Sequence, residues 1–191
     1  MPRKPSILIS SSVYDKKELL SQVYAVLHGL GYEVWMSDKG TIPLNPDLTA
    51  FQNCLIAVEN CDIFFGIISG YYGSGIEEGS NSITHQELSK AIELDKPRWL
   101  LVKNDVLVIR NFVRIINKYE TQESMEICSH LNLRQHDPIS DMRVLNMYDE
   151  ATRLDLPLGQ RSGNWVQPYQ TSHDVLKFIE CQLPDPSKYV H

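Results

Sequence analysis

The chain has 191 residues, 42% hydrophobic and 22% charged, a globular composition that excludes disorder as the starting expectation. That length fits a single domain spanning residues 1–191 with one elaboration. The formal charge of −6, from 18 Lys and Arg against 24 Asp and Glu, excludes the basic face of a nucleic-acid binder but leaves room for a small anionic ligand held by local donors.

Residues 6–10 (SILIS) form a short apolar run expected as a buried strand. Residues 15–30 follow as a helix, with Leu19, Val23, Val26, Leu27 and Leu30 on one face and Gly31 as its stop. Residues 32–36 (YEVWM) read as a second strand, and residues 37–47 as a loop broken by Gly40, Pro43, Asn45 and Pro46. A second helix is expected over 48–60 with Leu48, Phe51, Leu55 and Val58 inward. Residues 62–69 (DIFFGIIS) are apolar almost throughout, the mark of a central parallel strand covered on both faces. A Gly/Ser/Tyr loop over 70–81 leads to a third helix over 82–95 with Ser82 as N-cap, and residues 98–102 form a fourth strand.

This β-α-β-α-β-α-β alternation predicts an α/β fold of the flavodoxin-like kind: an open parallel sheet of about five strands with helices on both faces. Residues 104–162 read as an insertion or elaboration. Within it a helix is expected over 106–119 (Val106, Ile109, Val113 and Ile116 on one face), a polar excursion over 120–141, and a fifth strand over 143–148 (RVLNMY). A loop over 156–169 and a closing helix over 172–182, with Val175, Leu176 and Ile179 inward, complete the chain.

In an open parallel sheet, ligands bind beyond the C-terminal strand ends. Ser10, Ser11 and Ser12, the 37–47 loop with Asp38, and the 69–82 segment with Tyr72, Gly73 and Ser82 reach that edge. Their hydroxyls, glycines and helix-start amides suit a polar or phosphorylated small molecule, or are ordinary solvated turns. Glu87 is more pointed. It stands four residues after Ile83 and four before Ala91, on or beside the apolar stripe of the third helix. A carboxylate there is either partly desolvated and tuned for chemistry, or reaches solvent and pairs with Lys90 one turn on. His85 is a candidate donor to ligand or an exposed first-turn residue, and Asp15 a ligand contact or a helix N-terminal charge. For Tyr71 and Tyr72, one ring stacking in a nucleotide pocket stands beside plain loop packing.

Other chemistries lack their motifs. GYYGSG (70–75) is not followed by GK[ST], and there is no GxSxG elbow and no HExxH. Cys54, Cys61, Cys128 and Cys181 form no CxxC pair and have no His at zinc spacing, so no metal site is expected and reduced thiols in a cytoplasmic protein are. No apolar run is long enough to span a bilayer and no signal peptide is visible, so no membrane association is expected.

Four stretches taken together resemble TIR domains, and more closely a TIR-like family of bacterial domains that opens with an FISSxxxD-type motif and is found in defence NTPases. They are LISSSVYD (8–15), LGYEVW (30–35), VENCDIFFGIISGYYGS (58–74) and SITHQELSKAIELDKP (82–97). GNWVQPYQTSHDVLKFI (163–179) is similar to the closing segment of such domains. The chain departs from the family pattern in carrying Leu19-Leu20 where Glu-Arg is common, and in a longer acidic loop over 76–81.

The resemblance implies an enzyme that cleaves the nicotinamide–ribose bond of NAD, with Glu87 as the key carboxylate. It further implies NAD as substrate with no tightly bound cofactor, a product that is hydrolysed or built into a signal nucleotide, and a role in bacterial antiphage defence. Self-association, or a separate sensor or effector protein, is the partner it implies. Two alternatives stand beside it: a non-enzymatic TIR-like interaction module, and a nucleoside deoxyribosyltransferase-like enzyme, which also sets a Glu against an N-glycosidic bond.

Overall fold

The computed structural model describes residues 3–12, 16–75, 80–118 and 138–189. Strands β1 (Ser6–Ser11), β2 (Glu33–Trp35), β3 (Ile63–Ile68), β4 (Arg98–Lys103) and β5 (Val166–Tyr169) form one sheet in the order β2-β1-β3-β4-β5. Every pairing is parallel. The chain is therefore an α/β protein with a flavodoxin-like open sheet. From β1 it turns one way to β2 and the other way to β3, so the crevice at which ligands bind in such sheets opens between the ends of β1 and β3.

Alternation along the strands sorts the core into two layers. Ile7, Ile9, Ile63, Phe65, Ile67 and Leu101 face one side and pack against Leu20, Val23 and Leu27 of α1 (Lys17–Leu30) and Val175 and Ile179 of α6 (Ser172–Gln182). Leu8, Phe64, Ile68, Leu100 and Val102 face the other side. There they meet α2 (Ala50–Asn60), α3 (Ile83–Glu93), the start of α4 (Asn104–Lys118) and α5 (Arg143–Ala151). All six residues of β3 are buried, as its unbroken apolar run requires. Gly66 stands opposite Ser10 in the register, and a Cβ there would lie 2.7 Å from Leu100.

Local signals set the element ends. Gly31 takes φ 103 and its amide caps the end of α1. Ser82 accepts from the His85 amide as N-cap of α3, and Thr49 and Thr171 head complete capping boxes on α2 and α6.

Three expectations change. Residues 143–148 are not a strand. They open helix α5, because Val144, Leu145, Met147 and Ala151 recur at helical spacing and all are buried. The fifth strand is β5, inside the stretch expected as loop. Among the described residues it pairs only with β4, and an edge position tolerates its Pro168. The buried face of α2 runs through Asn53, Ala57 and Val58, while Phe51 and Leu55 are half-buried. Asn53 is inside because its amide saturates a turn: its oxygen accepts from the Asn45 amide at 2.8 Å and its nitrogen reaches the Asn45 and Thr49 carbonyls. The polar excursion expected over 120–141 lies outside the described residues apart from 138–141.

Candidate functional site

A cleft of about 970 Å³ opens at the C-terminal edge of the sheet. One wall is the end of β1 and the start of α1, with Ser11, Ser12, Lys16 and Lys17. The facing wall is the loop after β3 and the start of α3, with Tyr71, Gly73, Ser74, Ile83 and Thr84. Ser37 and, from α2, Ala50 and Cys54 close a third side. Glu87 lines the cleft from the second turn of α3 and is only 6% exposed.

The surroundings of Glu87 explain its chemistry. Ser10, on β1, points to the α3 side of the sheet by strand alternation and donates to Glu87 Oε2 at 2.6 Å. The Cys54 thiol, on α2, lines the same cleft beside it. Burial raises the carboxyl from its ordinary 4.5 to about 7, against the lowering pull of the Ser10 hydroxyl and, less, of the Cys54 thiol. Loss of solvent pushes the Cys54 thiol up to about 12, with the neighbouring Glu87 adding to the effect, so Cys54 remains a neutral donor at physiological pH. Lys90 does not pair with Glu87. Its ammonium lies 3.3 Å from Glu59 and 3.5 Å from Glu93. Glu87 is thus a buried carboxyl near the midpoint of its titration at neutral pH, facing a cleft.

The other sequence candidates divide. Ser11, Ser12 and Gly73 line the cleft with Glu87, and Ser10 stands behind the carboxylate. Ser12 and Ser69 bond through their hydroxyls at 3.0 Å, tying the end of β1 to the end of β3 across the crevice. Gly73 takes φ 99, which suits glycine. Tyr72, Ser82 and His85 do not line the cleft. Tyr72 is buried the other way, its hydroxyl 2.7 Å from His85 Nδ1 and 3.0 Å from Asn81 Oδ1, with the Arg143 guanidinium over its ring. His85 Nε2 in turn meets Glu150 of α5 at 2.8 Å. These residues lock α3 to α5, while the neighbouring Tyr71 takes the place at the cleft. Asp38 sits exposed in the short turn Ser37–Lys39, where Ser37 is the lining residue. Asp15 lies outside the described residues.

Sequence reasoning missed Cys54, Thr84, Lys16 and Lys17 as lining residues. Thr84 had a usable signal: it stands three residues before Glu87 and so shares its helix face.

The fold and this edge-of-sheet cleft define an α/β protein with a buried carboxyl at its switch point. The chain belongs to the family described as Domain of unknown function (DUF4062), whose model matches residues 6–127. A search of curated proteins finds no match. Among solved structures, the chain is similar to a Clostridium botulinum CMP N-glycosidase, BcmB, at 12% identity and a TM-score of 0.48, over 92% of this chain and 98% of that one. It is also similar to a 2-deoxyribosyltransferase from Bacillus psychrosaccharolyticus at 26% identity and a TM-score of 0.36, over 51% of this chain and 72% of that one. Among the described residues, no helix is long and apolar enough to cross a membrane.

Proposed function

We propose that the chain is an enzyme that cleaves the N-glycosidic bond of a nucleotide or nucleoside, with Glu87 as the catalytic carboxylate. The observation that carries this reading is a carboxyl raised to about 7 by burial, lining a cleft at the switch point of a parallel sheet. Departure of a base leaves positive charge on the ribose. A desolvated carboxylate beside that charge stabilises it far more than one in water does, because the charge develops only in the transition state.

The cleft also bears on the leaving group. Hydrolysis of an ordinary glycoside generally takes two carboxyl groups, one of them to protonate the leaving oxygen. The described lining here holds one other carboxylate, Glu18, and it is exposed. One buried carboxylate suffices when the leaving base is already cationic, as nicotinamide is in NAD. The cleft volume falls at the upper end of the range for small-molecule sites, which suits a dinucleotide. NAD, the substrate that the TIR resemblance implies, is one substrate to test. Nucleoside 5′-monophosphates and deoxynucleosides are the other arms.

The experiment is incubation of the full chain with each substrate, with released base and sugar product identified by mass spectrometry. Release from at least one substrate, abolished in Glu87→Gln, is expected. No release from any of them across a wide range of protein concentration, which also covers an enzyme completed by self-association, overturns the reading. Ordered self-association without release is the outcome that an interaction module predicts.

A further inference from the structure

The two other serines of the β1 end are engaged elsewhere: Ser12 bonds Ser69, and Ser11 donates to the Ser12 carbonyl at 3.3 Å. Ser10 alone of the three reaches the carboxylate, at 2.6 Å, and it is itself only 3% exposed. It sits on β1 where that strand pairs with β3, with Gly66 as its register partner, beyond the Ser6–Leu8 stretch that pairs with β2. A donor fixed in the sheet therefore holds a side chain carried by a helix. The helix supplies the carboxylate, and the strand sets how it is turned.

We infer that Ser10 is a positioning residue for the reaction proposed above, pinning Oε2 of Glu87 so that the carboxylate meets the substrate ribose in one orientation. The inference rests on that functional reading. A glutamate side chain left to rotate samples orientations that do not face the developing charge, and a misplacement of about 1 Å costs on the order of a hundredfold in rate. The same bond favours the ionised form of Glu87, so Ser10 also governs the pH at which the carboxylate becomes available.

The test uses Ser10→Ala in the full chain, with two readouts. The first is the pH profile of base release. Relative to the parent, Ser10→Ala lowers kcat by about 10- to 100-fold while KM changes little. Its acid-side midpoint moves up by about one pH unit, the loss expected for one hydrogen bond to a charged group. Ser10→Thr, which keeps the hydroxyl, returns both toward the parent. The second readout needs no substrate: titration of the Glu87 side-chain carboxyl by carbon-13 NMR, assigned by its disappearance in Glu87→Gln. The Ser10→Ala midpoint rises there too, and Ser10→Cys, a weaker donor that also guards against a poorly folded alanine variant, rises by less. A folded Ser10→Ala protein whose Glu87 titrates as in the parent overturns the inference. A parent that releases no base overturns the functional reading instead, while the titration still decides whether Ser10 governs Glu87.

Discussion

Replacing Glu87 by Gln changes stability in a pH-dependent way whose size follows from the burial of the carboxyl. The group has an ordinary value of 4.5 and stands near 7 in the folded protein. Between those values the folded chain binds more protons than the unfolded chain, so stability falls as pH rises and levels off above 7. The rise of about 2.5 pH units, at about 1.4 kcal/mol each, makes the ionised carboxylate cost about 3 kcal/mol at pH 8. Below pH 4.5 the cost vanishes. Glu87→Gln removes the titration altogether. Its amide N–H groups bring a constant offset of about 1–3 kcal/mol if they find no acceptor, but that offset does not depend on pH. The stability difference, variant minus parent, is therefore expected to grow by about 3 kcal/mol between pH 4.5 and pH 8. The assay is urea unfolding of both proteins at pH 4.5, 6 and 8. With an m-value of about 2 kcal/mol/M, the variant's midpoint gains roughly 1.5 M relative to the parent across that range. A difference that stays flat with pH refutes the desolvated carboxyl, and with it the physical basis of the proposed site.

Four further outcomes test the packing and capping of the fold. Tyr72→Phe loses the hydroxyl shared by His85 and Asn81 and is expected to lower stability by about 1 kcal/mol in chemical denaturation. Base release from the same variant changes less than that from Ser10→Ala, since the ring does not line the cleft. Gly70→Ala places a Cβ 1.8 Å from the Pro138 carbonyl oxygen, a backbone neighbour that cannot turn aside, and costs about 3 kcal/mol or more against the roughly 0.5 kcal/mol of an ordinary surface change, read as a fall in Tm or in soluble yield. Thr171→Ala removes the capping box of α6 and lowers stability by about 1 kcal/mol, measured by thermal unfolding.

The parts of this fold visible in the sequence are those with an unambiguous period. Leu19, Val23 and Leu27 recur as a helix face does, and Ile63 to Ile68 form an unbroken apolar run whose shortness and β-branched and aromatic content fit a doubly covered strand. Short segments defeat the same logic. RVLNMY satisfies a strand by length and apolar content, yet its burial pattern continues to Ala151 and is helical. VQPY shows nothing of a strand beyond its place at the sheet edge. The site divides likewise. Glu87 was legible because a carboxylate on a buried stripe conflicts with its surroundings, and such conflicts mark function more often than error. Which of Tyr71 and Tyr72 turns into the cleft was not legible, because an irregular loop has no period to orient adjacent residues. The place of the Cys54 thiol beside Glu87 depends on how α2 packs on α3, and the α2 face was itself read only in part: Val58 is buried as expected, but it shares that face with Asn53 and Ala57.

The most direct measurement of the central claim is the initial rate of base release from NAD, and from the nucleotides and nucleosides tested beside it, by the parent and Glu87→Gln at pH 8. At that pH the parent carboxyl is mostly ionised. The account predicts release by the parent and a loss of at least about a hundredfold in the variant, the scale on which removal of a preorganised transition-state contact acts. Equal rates in the two proteins contradict it.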